Sequence, residues 1–143
     1  MMRKSGVAAT VQTLSVKNLA TNDYVSLTEN TSVKNAIQLM TKFEASEAYV
    51  VSKTKQFIGK VNLHGMLKLK VTESIKEAFI SDPIIIRHDA SLQQSIEIAS
   101  EFVGESIPVV NKETKEMLGI LSEADLFQAY LATQDKIIDL EKK

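Results

Sequence analysis

An internal repeat constrains this chain more than any other feature: residues 16–52 lie over residues 75–111 without a gap at a shift of 59. The alignment sets Lys17 on Lys76, Asp23 on Asp82, Ser32 on Ser91, Ile37 on Ile96 and Phe43 on Phe102, and Val50 and Val51 on Val109 and Val110. One extra residue in the second copy then moves the shift to 60 and sets Gly59 on Gly119. Identities are few, but the apolar pattern matches throughout. A unit of about 60 residues is longer than the helical-hairpin repeats of solenoids, and two copies cannot stack into one. The expectation is two similar halves about a pseudo-two-fold axis.

Each half reads helix, strand, helix, strand, strand, helix. "SVKNAIQLMTKF" sets Val33, Ile37, Met40 and Phe43 on one helical face behind a capping Ser32, and "SLQQSIEIASEF" repeats this with Leu92, Ile96, Ala99 and Phe102 behind Ser91. "AYVV" (48–51) and "IPVV" (107–110) are followed by the polar turns "SKTKQ" and "NKETKE" and then by "FIGKV" and "MLGIL", which predicts a hairpin in each copy. Shorter strands are predicted at "YVSL" (24–27) and "PIIIR" (83–87), the latter with Pro83 at its start, where a missing N–H is tolerated. Closing helices begin near Leu63 and Ser122, and the last runs from Glu123 toward Leu140. The class is α+β, with a loose N-terminal segment over 1–13, a first copy over 14–70 and a second over 71–143 that carries the long final helix.

Composition removes several function classes. With 17 basic and 18 acidic residues interspersed, a net charge of −1 offers no field for nucleic acid or an anionic membrane. The chain has no cysteine, which excludes disulfides and thiol nucleophiles. No apolar run approaches the roughly 20 residues needed to span a bilayer. His64 and His88 stand alone, without a second ligand at helical spacing, so no metal site is proposed. Neither a glycine-rich phosphate loop nor a nucleophile elbow nor a histidine triad is present, and the chain does not read as an enzyme.

The residues that invite chemistry are Ser122 and Asp125 in "GILSEADLFQAYL" (119–131). Ser-x-x-Asp at a helix start matches a capping box. It also suits a ligand, because a helix start offers N–H groups to an anion and a carboxylate accepts hydrogen bonds from both ribose hydroxyls. Both readings stand at this point, and one does not exclude the other.

"SDPIIIRHDASLQQSIEIASEFVGESIPVVNKETKEMLGILSEADL" resembles a cystathionine-beta-synthase (CBS) domain, in its "DP" strand entry, helix, "IPVV", turn and "GILSEADL". Over residues 14–131 the chain is similar to a tandem CBS pair, two pseudo-symmetric β-α-β-β-α lobes. The first copy departs from the pattern, with Tyr24 where Pro83 stands, Tyr49 where Pro108 stands, and "GKVNLHGML" in place of "GILSEADLF". The resemblance implies that Ser122 and Asp125 grip the ribose and phosphate of an adenine nucleotide (ATP, ADP or AMP). It further implies that Val25, Ser26, Ala45, Ser46 and Ala48 complete the cleft. The mirror cleft would rely on Asn62 and Gly65, and Gly65 supplies no carboxylate. Lys60, Lys53 and Arg87 are the cations that could offset Glu47, Glu105 and Glu123 near a polyphosphate.

"LSEADLFQAYLATQDKIIDLEKK" and "FVGESIPVV" look similar to tails of bacterial CLC-type chloride channels or transporters. That likeness implies a cytosolic regulatory module at the cytoplasmic side of a membrane, following a transmembrane portion absent from this chain. The alternatives are a free-standing adenine-nucleotide sensor and a dimerisation module regulating a cytosolic enzyme. A homodimer is expected, because Leu126, Phe127, Tyr130, Leu131, Ile137, Ile138 and Leu140 are more apolar residues than one helix buries against so small a domain.

Overall fold

The structure, a computed structural model, describes residues 16–142, with side chains described as far as residue 134. The segment 1–13 and the side chains of Ile137, Ile138 and Leu140 lie outside the described residues. The described residues form two three-stranded sheets and four α-helices in duplicate order. The first lobe holds β1 (Val25–Leu27), α1 (Val33–Lys42), β2 (Glu47–Val51), β3 (Phe57–Asn62) and α2 (Leu63–Met66). The second holds β4 (Ile86–Arg87), α3 (Leu92–Ala99), β5 (Ile107–Val110), β6 (Met117–Leu121) and α4 (Glu123–Lys142). A 3₁₀ turn precedes each, at Val16–Asn18 and Ile75–Ala78.

The repeat holds at the level of register. In both sheets the middle strand pairs in parallel with the first and antiparallel with the third, and Leu27↔Val50 has its counterpart in Ile86↔Val109 at the same shift of 59. The capping serines act as expected: Ser32 Oγ accepts the Asn35 N–H at 3.2 Å, and Ser91 with Gln94 forms a reciprocal capping box.

Three expectations need correction. "PIIIR" forms a strand only at Ile86–Arg87, because Pro108 stands where the parallel ladder would need an N–H opposite Ile85. "YVSL" begins its strand at Val25 rather than Tyr24. Phe43, assigned to the core face of its helix, is instead the C-cap and 61% exposed, while Ala36 takes a core place beside Val33 and Met40.

Each leading turn packs into the other copy. Val16, with Leu19 and Ala20 against it, belongs to the core of Ile86, Leu92, Ile107, Val109, Leu121 and Leu126. Ile75, with Ala78 and Phe79, belongs to the core of Val33, Met40, Val50, Val61 and Met66. The backbone follows the same exchange: Thr21 and Ile120 trade hydrogen bonds at 3.0 and 2.9 Å, and Ile80 donates to the Lys60 carbonyl at 2.9 Å. The aligned glycines explain how the segments approach so closely. A Cβ on Gly119 would lie 2.7 Å from the Thr21 carbonyl oxygen, and one on Gly59 would lie 3.0 Å from the Phe79 ring. The hairpins meet at their ends, where Phe57 donates to the Lys115 carbonyl and Met117 to the Lys55 carbonyl, each at 2.9 Å.

Candidate functional site

Ser122 and Asp125 come together at the start of α4, where the chain leaves β6. The Ser122 N–H donates to Asp125 Oδ2 at 3.0 Å, and the Asp125 N–H donates to Ser122 Oγ at 3.1 Å. This is the reciprocal capping geometry, with aspartate in place of the usual glutamate. Asp125 Oδ1 accepts no hydrogen bond among the described residues. The cap therefore occupies one carboxylate oxygen and leaves the other for an incoming donor.

Val25, Ser26 and Ala45 share the wall of a cavity of about 520 Å³, together with Asn22, Asp23, Tyr24, Leu39, Phe43 and Glu44. The cavity sits between the entry to β1 and the C-terminal end of α1. Its volume falls in the range of about 300–1,000 Å³ typical of small-molecule pockets. Tyr24 meets Tyr49 edge to face at 5.6 Å, and burial pushes the Tyr24 phenol above its ordinary pKa.

Two of the expected residues sit behind this wall rather than on it. The Ser46 carbonyl accepts the Leu63 N–H at 2.8 Å, fixing the start of α2, and Ala48 is buried in the first lobe's core. Ser122 and Asp125 do not line the cavity either. The Thr21–Ile120 pairing links the two parts: Thr21 adjoins the cavity residue Asn22, and Ile120 lies two residues before Ser122. The exchange of leading segments thus tethers the second copy's helix start to the first copy's cavity. The aligned glycines Gly59 and Gly119 were the only sequence signal for that exchange, since glycine inside a strand marks a close backbone approach.

The three cations that could offset Glu47, Glu105 and Glu123 do not line the cavity. Lys60 is 3% exposed, ion-paired with Glu47 Oε1 at 3.2 Å, and donates to the Ser106 carbonyl at 2.7 Å. Its ammonium lies over the Phe102 ring at 4.7 Å and the Tyr49 ring at 5.6 Å. Burial lowers the Lys60 pKa, and the Glu47 carboxylate opposes that fall. Arg87 pairs with Asp89 at 3.4 Å on the second lobe, and Lys53 lies in the turn between β2 and β3.

Lys60 belongs to a polar knot between the lobes that the sequence did not announce. Glu47 accepts the N–H groups of Glu105 at 3.2 Å and Ser106 at 3.0 Å, and the Ser106 hydroxyl at 3.1 Å. A short hydrogen bond joins the Tyr49 and Ser106 hydroxyls, and burial drives the Tyr49 phenol far above its ordinary range. The knot lies between the lobes at the start of the two middle strands, where Glu47 pairs with Asn62 across β2 and β3. At the mirror cleft Asn62 Oδ1 accepts the Gly65 N–H at 2.7 Å. His88 Nδ1 accepts the Lys112 N–H at 3.2 Å, and among the described residues no group of three or more His, Cys, Asp or Glu is placed to hold a metal ion.

Duplicate lobes that exchange their leading segments about a pseudo-two-fold, with a cavity beside the exchange, define a paired-domain module. The CBS domain family matches residues 16–72 and again residues 75–132, and the chain belongs to that family as a tandem pair. No curated protein matches it. Among solved structures it is similar to a CBS domain pair/ACT domain protein from Thermotoga maritima, with 21% identity over 83% of this chain and 98% of that one, at a TM-score of 0.73. CBSX2 in complex with AMP shares 18% identity over 85% of this chain and 98% of that one, at 0.71. The cytosolic domain of the Mg²⁺ channel MgtE in complex with ATP shares 18% over 87% of this chain and 52% of that one, at 0.73. At these identities the likeness is one of fold.

Proposed function

We propose that this CBS pair is a regulatory module that takes up an adenine nucleoside or nucleotide once per chain, in the cavity walled by Val25, Ser26 and Ala45. Asp125, presented by the start of α4 beside Ser122, is the ribose acceptor. The observation that carries the reading is the open Asp125 Oδ1 at a helix start tied by the Thr21–Ile120 pairing to the wall of the cavity. Solved CBS pairs of the same fold in complex with AMP and with ATP support the ligand class. Ser46 and Ala48 serve as the wall's backing.

The module's expected setting is the cytosolic part of an ion-transport protein. The C-terminal stretch from Leu121 to Lys143 supports a CLC-type chloride channel, and the MgtE cytosolic domain is a transport-linked relative in fold. Among the described residues no helix is long and apolar enough to cross a membrane, so on this reading the transmembrane part is a separate portion. A free-standing sensor is the second reading, favoured by CBSX2, of which this pair covers 98%.

Calorimetry with adenosine, AMP, ADP and ATP on the Asp125→Asn and Asn62→Ala variants tests the site. Asp125→Asn keeps an acceptor for the Ser122 N–H but loses a charge-assisted hydrogen bond worth about 1.5–3 kcal/mol, so the ligand that binds the parent should weaken about 10-fold to 150-fold. Asn62→Ala removes the equivalent cap from the mirror cleft and should leave binding unchanged. Equal effects from the two variants would overturn the assignment.

A further inference from the structure

We propose that the cavity selects an adenosine derivative without a phosphate chain, neutral or cationic at its 5′ position; this rests on the nucleoside reading above and adds the ligand's charge. Asp23 and Glu44 both line the cavity, and both are exposed. No lysine or arginine lines it among the described residues. Lys42 stands nearest in the chain, its ammonium 5.5 Å from the Phe43 ring centroid, one charge against two carboxylates on the wall.

Two of the cations that could have faced a phosphate are committed to partners of their own. Lys60 is committed to Glu47 and the Ser106 carbonyl, and Arg87 to Asp89. A helix start attracts phosphate through its free N–H groups. The first turn of α4, however, carries Glu123 as well as Asp125, and Ser122 already takes the Asp125 N–H through its hydroxyl and the Leu126 N–H through its carbonyl. A ligand that brings phosphates therefore meets like charge on the cavity wall and on the tethered helix. A carboxylate about 7 Å from one phosphate charge lowers affinity about threefold even in a water-like dielectric, and several such pairs compound. The aromatic rings of Tyr24 and Phe43 on the same wall suit a flat base and the edge of a cationic group equally.

The test is calorimetry on the full chain at about 0.15 M salt, where screening is physiological, with adenosine, AMP, ATP and the sulfonium nucleoside S-adenosylmethionine as probes. Adenosine and the sulfonium nucleoside should each bind at least about tenfold more tightly than ATP, with AMP between them. The double variant Asp23→Asn, Glu44→Gln should bring ATP to within about threefold of adenosine, with an unchanged circular dichroism spectrum. ATP binding as tightly as adenosine, or a gap that persists in the double variant, would overturn the charge inference while leaving the nucleoside site standing. Binding of none of the four at millimolar concentration would overturn the site and the inference together.

Discussion

Phe43 and Phe102 hold equivalent places in the two copies and have different surroundings. Phe102 lies under the Lys60 ammonium, inside the knot of Glu47, Tyr49 and Ser106. Phe43 is 61% exposed and forms part of the cavity wall. The residues equivalent to Glu47, Tyr49 and Lys60 are Ser106, Pro108 and Ile120, so only one side of the pseudo-two-fold carries the charges for a knot. Duplication retained what the scaffold demands in both copies, the strand register, the serine caps and the close-approach glycines. It diverged where the lobes face each other: the first copy alone supplies the charged pair of the knot, and the second alone places a carboxylate, Asp125 with its open oxygen, at the start of its closing helix.

The knot between the lobes is where the largest loss is expected. Lys60→Ala removes one member of an ion pair whose side chains are 4% and 11% exposed, leaving the Glu47 carboxylate without its cation. Breaking a buried pair in this way costs about 3–5 kcal/mol. Replacing both members with Glu47→Gln and Lys60→Met should recover most of that, because no uncompensated charge remains. Urea unfolding of the single and double variants checks both values; a single variant as stable as the parent would show that the knot holds nothing.

A smaller contrast separates the aligned glycines. Gly119→Ala drives a Cβ against the backbone oxygen of Thr21, which cannot swing away, whereas Gly59→Ala meets a Phe79 ring that can turn. Overpacking of this kind costs about 1–3 kcal/mol, with Gly119→Ala expected near the top of that range and Gly59→Ala near the bottom. Thermal melts of the two variants should differ by several degrees; equal melting temperatures would mean that the two crossings are not differently supported.

The smallest effect is that of Tyr49→Phe, about 1 kcal/mol for a hydroxyl bonded to the Ser106 carbonyl and hydroxyl. Its signature is the pH profile. Folding holds the Tyr49 proton after the unfolded chain has released it near pH 10.0, so this contribution is complete below pH 10 and lost as pH rises beyond it. Lys60 acts with the opposite sign, since its lowered pKa penalises the fold at neutral pH and that penalty lifts as pH approaches 10.5. Tyr49→Phe should therefore flatten the alkaline fall in stability measured by denaturant unfolding from pH 8 to pH 11. A parallel fall in variant and parent would place the lost stability elsewhere.

Much of this was legible in the chain because it is written locally. Ser32 and Ser91 mark helix starts by residue type and spacing, and alternating apolar runs mark the hairpins in both copies. Ser122 and Asp125 were visible as a pair for the same reason, being three residues apart. What stayed hidden depends on contacts across the pseudo-two-fold. The exchange of leading turns leaves only the trace of Gly59 and Gly119. The helical spacing that put Phe43 in the core could not register that the helix ends at Lys42. Lys60 looked like a cation that could offset Glu47, Glu105 and Glu123 near a phosphate, and only the tertiary fold shows it buried against Glu47 and Ser106.

The central claim is that the two clefts of one pair are unequal, one with Gly65 in the acceptor's place and one with Asp125 ready for a ligand. Calorimetric stoichiometry tests it most directly, with adenosine titrated into the chain at a protein concentration well above the dissociation constant. The account predicts one adenosine per chain, abolished or strongly weakened by Asp125→Asn and retained in Asn62→Ala. Two adenosines per chain, or one that survives Asp125→Asn and disappears in Asn62→Ala, would contradict it.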